Sequence, residues 1–174
     1  IKKQISQKKR DIRLDKFVNY ALFNKHGYYF RKKPIGKKND FITAPEISQM
    51  FGEIIGLYLY YIWKEKIKSY FNLIELGPGN GTLFKDIERS LIKYKDFANS
   101  AKISFIEINN SLVNIQKKQI NNNVFKNISW YKKINFGSKK PSIIYSNEFF
   151  DCFPVRQFIY KNIWLEKFIS LNKK

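Results

Sequence analysis

The sequence predicts an α/β fold in which an N-terminal helical segment precedes a doubly wound parallel sheet. Two observations support this prediction. From Phe71 onwards, strand-like apolar runs alternate with helix-like patterns, as in chains of βαβ units. A glycine-rich stretch, residues 77–81, joins the first of these strands directly to a helix. We expect right-handed connections and a sheet truncated after its fourth strand.

The N-terminal segment is predicted to span residues 1–66. Apolar residues at helical spacing over 14–22 predict a first helix, which Gly27 is expected to end. Residues 43–46 have the Thr-x-x-Glu pattern of a capping box and predict the start of a second helix. A wide apolar stripe predicts that this helix is mostly buried, and Gly52 and Gly56 predict close packing of one side.

The second predicted domain spans residues 67–174. Its helices are expected to begin at Thr82, with an apolar face, and after a cap at Asn109, Asn110 or Ser111. A hairpin is predicted to close the chain, with its turn at Lys161-Asn162. The predicted strands of the sheet are residues 71–76, 103–108, 128–131 and 143–147.

Composition limits the classes of site that the chain can contain. One Cys and one His exclude a cysteine-rich metal site and a pair of histidine ligands, so no metal is expected. The longest uncharged apolar run, residues 54–63, is too short to cross a bilayer. Lys and Arg outnumber Asp and Glu by 33 to 14, but only five of these cations are Arg, the residue best suited to reading bases. We therefore expect nucleic-acid binding that is weak and without sequence preference.

The strongest chemical signal is the run Glu75-Leu76-Gly77-Pro78-Gly79-Asn80-Gly81. Glycines let a strand turn sharply and let a ligand lie against bare backbone. The spacing differs from the dinucleotide motif and from the phosphate-binding P-loop. An acidic residue two places before G-x-G-x-G resembles the S-adenosylmethionine (SAM) loop of class I methyltransferases, and a carboxylate suits the positive charges of SAM. The alternative is a turn that binds nothing.

Glu107 stands at the end of the second predicted strand. In doubly wound folds, an acidic residue about 20 positions beyond the glycine loop accepts hydrogen bonds from a ribose. Glu107 is therefore predicted to bind the ribose hydroxyls of SAM. The alternative is an ordinary solvated residue at a strand end.

Two further carboxylates, Glu148 and Asp151, follow the fourth strand among aromatic residues. Carboxylates surrounded by apolar surface are costly unless a cation meets them. We expect that cation to be the amino group of SAM or a positively charged methyl acceptor. The alternative is a local role, with Asp151 capping the loop and Asn147 forming an Asx-turn.

Three stretches, residues 40–53, 75–83 and 147–158, resemble the MidA-type methyltransferases. These are bacterial and mitochondrial relatives of the protein arginine methyltransferase that assists assembly of respiratory complex I. The resemblance extends from Leu14 to Phe158. It departs from the family at Asn39, where Gly is usual, and at Cys152-Phe153, where Ala-Leu is usual. Because the family is longer than this chain, we expect the chain to be a fragment.

The resemblance implies a class I, Rossmann-like fold and transfer of a methyl group from SAM to an arginine, in a complex I subunit. Glu148 and Asp151 would be the catalytic residues that place the guanidinium. The implied compartment is the bacterial cytoplasm or the mitochondrial matrix. The implied SAM-binding residues are Thr43, Pro45, Glu46, Glu75, Gly77, Gly79, Gly81, Glu107 and Asn147.

Three other functions stay open from the sequence. A non-catalytic SAM-binding assembly factor or scaffold is the nearest alternative. A methyltransferase of nucleic acids or small molecules fits the basic charge, although the chain lacks the Asn/Asp-Pro-Pro-aromatic motif of base amino-methylases. A nucleotide-dependent oxidoreductase is disfavoured because the chain lacks G-x-G-x-x-G.

Overall fold

A computed structural model describes the chain over residues 11–31, 42–120, 124–134 and 139–170. The chain forms two compact units, one of residues 35–149 and one of residues 1–34 together with 150–174. Each unit contains residues from both segments that the sequence predicts, 1–66 and 67–174.

The described residues contain eight strands, seven α-helices, a π-helical turn (Trp63–Ile67) and a 3₁₀ turn (Phe150–Cys152). The strands are β1 (Ile12–Arg13), β2 (Phe71–Leu76), β3 (Ala101–Ile106), β4 (Ile128–Tyr131), β5 (Ser142–Ser146), β6 (Phe158–Lys161), β7 (Ile163–Glu166) and β8 (Phe168–Ile169). The helices are α1 (Leu14–Phe23), α2 (Tyr28–Arg31), α3 (Ala44–Ile47), α4 (Gln49–Ile62), α5 (Thr82–Ser90), α6 (Lys95–Ser100) and α7 (Asn110–Gln119).

The larger unit is built on a parallel sheet with the strand order β4-β3-β2-β5. All six residues of β2 are buried, as expected for a central strand of a parallel sheet. The chain runs from β2 to β3 on one side and returns on the other side with β5. The carboxyl end of β2 is therefore the switch point at which open α/β sheets bind ligands. The predicted parallel sheet is confirmed.

β5 is an edge strand in the described part of the sheet, since it pairs with β2 alone. Its central residue, Ile144, remains 43% exposed. This edge therefore presents apolar side-chain surface next to backbone groups that no strand of the described sheet pairs on that side.

The helix after the glycine loop matches its prediction. α5 begins at Thr82 and its apolar face is buried against the sheet core. Asn109 caps α7, because its side-chain oxygen accepts the Ser111 N–H. The buried positions of the α5 face are Leu83, Phe84 and Ile87, and Leu91 follows them.

A helix, α3, begins after Thr43 as predicted, but the predicted capping-box bonds and the mostly buried second helix are wrong. Thr43 makes no side-chain capping bond, and the helix is interrupted at Ser48, whose backbone is extended. The side chain of Glu46 does not reach back to the cap because it bonds to the glycine loop. The apolar stripe of α4 is largely exposed, with Met50 64% and Ile54 58% accessible.

The buried side of α4 is formed by the two glycines and Leu59 instead. A Cβ at Gly52 would lie 2.5 Å from the Cβ of Asp86, and one at Gly56 would lie 2.2 Å from the Oγ of Ser90. The predicted close packing is thus confirmed, and its partner is α5. Arg89 of α5 also donates to Glu53 of α4 at 2.9 Å.

The smaller unit contains the predicted hairpin, formed by β6 and β7 with Asn162 in the left-handed conformation (φ +59°) between them. β8 pairs with β1, a two-residue strand too short to be predicted. α1 ends at Phe23 because Asn24 is extended, so Gly27 does not end the helix as predicted.

None of the helices among the described residues has both the length and the apolar character that a bilayer crossing requires.

Candidate cofactor-binding site

The glycine loop, residues 77–81, connects β2 to α5 through three left-handed residues. Gly77, Gly79 and Gly81 have φ angles of +61°, +58° and +85°. Glycine adopts these values without the strain that a Cβ would cause. The Gly77 N–H donates to the carbonyl of Ile106 at 3.0 Å, which fixes the loop to the end of β3.

The ring of Phe149 packs against the start of the loop. A Cβ added at Gly77 would lie 2.3 Å from a carbon of this ring, so the absence of a side chain at Gly77 is a packing requirement as well. In the sequence, Phe149 is only one of the aromatic residues beside the two carboxylates. Its contact with the loop could not be found from a local pattern.

A small recess of about 40 Å³ lies between the loop and the segment before α4. This volume accommodates a charged head group and not a whole cofactor. Seven of the nine predicted SAM-binding residues line it, and they come from three separate stretches of the chain. They are Thr43, Pro45, Glu46, Glu75, Gly77, Gly79 and Asn147.

Glu75 supplies the buried carboxyl group of the recess. Its residue surface is 2% exposed, and burial raises the pKa of its carboxyl group to about 8. Tyr145 is the partner of Glu75 on β5, and its hydroxyl donates to the Glu75 Oε2 at 3.0 Å. This hydrogen bond lowers the pKa of Glu75, but by less than burial raises it. The same burial raises the pKa of the Tyr145 hydroxyl well above its ordinary value. A cation in the recess would favour the charged form of Glu75.

Glu46 fastens the α3 segment to the glycine loop. Its Oε1 accepts from the Thr82 hydroxyl at 2.7 Å and from the Asn80 amide at 3.3 Å. The side chain predicted to cap a helix thus bridges two parts of the chain that are far apart in sequence. Glu46 shapes one wall of the recess, and Thr43 and Pro45 line it next to Glu46.

Glu107 and Gly81 do not line the recess. Glu107 follows β3 directly and is 8% exposed, so it is not the solvated residue of the alternative interpretation. Its Oε1 accepts the Asn109 N–H at 2.8 Å, and burial raises the pKa of its carboxyl group. Gly81 precedes α5 and packs near Gln116, whose Cγ would lie 3.4 Å from a Cβ at Gly81.

Gln116 is a polar residue of the site that is not among the residues predicted from the sequence. It is completely buried on α7, and its amide donates to the carbonyl of Gly79 at 2.7 Å. A signal for it exists in the sequence. Gln116 stands four residues after Leu112 and four before Ile120, so it occupies the apolar face of its helix.

Glu148 and Asp151 are both exposed, and the prediction that aromatic residues bury them is wrong. Phe149 turns towards the glycine loop, whereas Phe150 packs against Phe153 with tilted rings and stays 66% exposed. Glu148 belongs to the larger unit and adopts an unusual left-handed backbone (φ +48°). Asp151 belongs to the 3₁₀ turn of the smaller unit.

Candidate metal ligands do not cluster in the described part of the chain. No group of three or more His, Cys, Asp or Glu residues is close enough there to hold an ion.

Comparison with solved structures shows a similar fold. A protein from Burkholderia thailandensis bound to S-adenosyl-homocysteine aligns with a TM-score of 0.78 at 19% identity, over 97% of this chain and 45% of that one. A native crystal structure of a protein from the same organism aligns with a TM-score of 0.73 at 17% identity, over 97% of this chain and 43% of that one.

Curated relatives are similar in sequence. The chain is 36% identical over 169 residues to human "Protein arginine methyltransferase NDUFAF7, mitochondrial", a match that covers 84% of this chain and 38% of the relative. The Caenorhabditis elegans homologue of that protein is 32% identical over 170 residues, with 84% and 39% covered. The chain therefore spans about two fifths of the length of these relatives.

The profile of a family described as S-adenosyl-L-methionine-dependent methyltransferases matches residues 54–174. This match includes β2, the glycine loop and every later strand of the sheet. The resemblance read from the three sequence stretches is thereby confirmed, and the chain belongs to the MidA-type family of S-adenosyl-L-methionine-dependent methyltransferases.

Proposed function

We propose that this chain binds SAM at the carboxyl end of β2 and takes part in methylating an arginine of a protein. The buried carboxyl group of Glu75 in the recess carries this proposal. A carboxyl group that is 2% exposed and has a pKa of about 8 is costly to hold in its charged form without a cation. The ammonium group of SAM would supply that cation.

The donors and acceptors of the site suit the parts of SAM. The left-handed glycines leave backbone next to the recess free of side chains. Glu75 would accept from the amino group, Asn147 and the wall of Thr43, Pro45 and Glu46 would enclose the amino-acid end, and Glu107 would accept from the ribose hydroxyls. Because the recess is small, the adenosine end would extend along the open carboxyl edge of the sheet.

Bound SAM would supply a methyl group already activated on a sulfonium. The task left to the protein is to align an acceptor nitrogen with that methyl group. Glu148 and Asp151 are exposed and accessible to another protein. We propose that they place the guanidinium of the acceptor arginine through charge-assisted hydrogen bonds.

The substrate and compartment follow from the named relatives as proposals. The name of the human relative supports a protein arginine as acceptor and a mitochondrial compartment. We propose the matrix as that compartment, with the bacterial cytoplasm as the alternative. A complex I subunit is the specific substrate implied by the family resemblance. The division into a helical segment, 1–66, and a SAM-binding domain, 67–174, remains part of the proposal.

A second, weaker function is supported by a groove of about 470 Å³ at the amino ends of β2, β3 and β4. Lys102, Lys126 and Lys140 line it beside Tyr70, whose ring lies under the Lys140 ammonium at 5.5 Å. Its lining contains no carboxylate among the residues that the structure describes. We propose that single-stranded nucleic acid binds here weakly through its phosphates.

Gly79→Val is expected to abolish binding of SAM and of its product, S-adenosyl-homocysteine. Valine would be strained at φ +58° and would place a branched side chain where backbone must approach the ligand. Isothermal titration measures the effect, with NAD and ATP as competing ligands. Gly52→Ala is the control, since it disturbs the α4–α5 contact and not the loop. Binding of NAD without SAM by the wild type would contradict the assignment.

SAM binding is expected to release a proton from Glu75 near pH 7. Without a cation, a carboxyl group with a pKa of about 8 is mostly protonated at that pH, and the ammonium of SAM favours its charged form. Affinity should therefore rise with pH up to about 8. Titration calorimetry in buffers of different ionisation enthalpy measures the released protons. Glu75→Gln, which cannot ionise, should lack this component, and an equal release from both proteins would exclude Glu75 as its source.

Glu148→Gln and Asp151→Asn are expected to reduce methyl transfer to an arginine peptide by about 10²-fold, the scale lost when a reactant is misplaced. Affinity for S-adenosyl-homocysteine and the melting temperature should change little because both side chains are exposed. Unchanged turnover in both variants would exclude the proposed role. Cofactor binding by the wild type without any turnover would favour the non-catalytic scaffold.

Nucleic-acid binding is expected to weaken in the double variant Lys102→Gln/Lys126→Gln. The slope of log affinity against log salt should fall in magnitude by about 1.4 for the loss of two phosphate contacts. Lys64→Gln/Lys66→Gln removes the same charge outside the groove and should change the slope less. Fluorescence anisotropy with labelled oligonucleotides measures both, and a hundredfold sequence preference would instead indicate specific recognition.

A further inference from the structure

A single buried amide, that of Gln116, connects the glycine loop of the proposed SAM site to the neighbouring part of the sheet. Its Nε2 donates to the carbonyl of Gly79 at 2.7 Å, and its Oε1 accepts from the indole Nε1 of Trp130 at 2.9 Å. Gln116 also lowers the pKa of the Glu107 carboxyl group, against the larger effect of burial, which raises that pKa. The glycine loop, α7, β4 and the end of β3 therefore meet at one side chain.

The chemistry of Trp130 fixes the direction of these bonds. An indole N–H can only donate, so the oxygen of the Gln116 amide must face Trp130. The NH₂ group must then face the loop, where the Gly79 carbonyl accepts one of its hydrogens. Glutamate has nearly the same shape but no hydrogen to donate when charged, so it could keep the Trp130 bond and not the Gly79 bond.

We propose that Gln116 is a positioning residue that holds the backbone of the glycine loop, and the carboxyl group of Glu107, in the arrangement that accepts SAM. The inference rests on the proposed function, and it adds a residue that is predicted to touch no part of the cofactor. Gly79 is left-handed and needs a fixed carbonyl, because a loop of three glycines has many other conformations available. The Gln116 amide fixes this carbonyl by donating a hydrogen bond to it.

A purely structural role would give a different result on mutation. Loss of a buried hydrogen bond lowers stability wherever it occurs in the core. Only a positioning role also changes cofactor affinity and loop opening at temperatures where the variant is fully folded. The chain offers a matched control in Trp63, whose indole donates to the carbonyl of Ser69 at 2.9 Å. Trp63 packs on Phe71, at the end of β2 opposite to the loop.

The test compares Gln116→Glu, Gln116→Met and Trp130→Phe with the control Trp63→Phe. Melting temperatures identify a common temperature at which each protein is folded. Titration calorimetry there gives the affinity for S-adenosyl-homocysteine, and hydrogen exchange gives the opening of residues 76–82. We expect affinity to fall about tenfold in both Gln116 variants, as for loss of one buried hydrogen bond, and less in Trp130→Phe. Trp63→Phe should bind like the wild type, and loop exchange should quicken in the Gln116 and Trp130 variants alone.

The outcomes separate this inference from the proposed function. The inference would be overturned if the wild type binds the cofactor and the Gln116 variants show the same affinity and the same loop exchange as the wild type. The proposed function would then still stand. A wild type that does not bind S-adenosyl-homocysteine or SAM would overturn the function, and loop exchange would then decide whether Gln116 holds the loop. If the Gln116 variants do not fold, the comparison of Trp130→Phe with Trp63→Phe decides whether Gln116 holds the loop. Equal loop exchange and equal cofactor affinity in these two variants would overturn the inference.

Discussion

The complete burial of β2 is the constraint on which the rest of the larger unit depends. A strand covered on both faces and paired on both edges must satisfy every polar group inside the protein. Glu75, the last polar residue of that strand, is satisfied in part by Tyr145 from the neighbouring strand. The cost of burying its carboxyl group is what raises the pKa to about 8. The electrostatics of the recess thus follow from the position of one strand in the sheet.

Two independent side chains anchor the loop after β2. Glu46 bonds to Thr82 and Asn80 from the α3 segment, and Gln116 bonds to Gly79 from α7. Glycines in left-handed conformations lose much conformational freedom on folding. Both anchoring side chains lie far from the loop in sequence. The loop can therefore hold its shape only when the helices that carry these side chains have packed.

Sequence alone could predict the features that depend on local pattern. The strand 71–76, the glycine loop and the apolar face of α5 are of this kind, because strand burial, turn chemistry and helical spacing all act over a few residues. The roles of Glu46 and Gln116 depend on partners more than 30 residues away. The capping-box prediction failed for this reason. The local pattern assigned the Glu46 side chain to the helix start, but in the structure this side chain accepts tertiary hydrogen bonds from Thr82 and Asn80.

The strand order β4-β3-β2-β5 has a consequence for how the chain behaves in concentrated solution. It places β2 at the centre, but it makes β5 a border of the described sheet, with Ile144 43% exposed. Backbone donors and acceptors on such a border are a template for any extended segment that meets them, and apolar side chains beside them favour the encounter. At high concentration, or during refolding from denaturant, we expect β5 to favour edge-to-edge association of chains. Repulsion from the formal net charge of +19 opposes this association at low salt and opposes it less as the salt concentration increases.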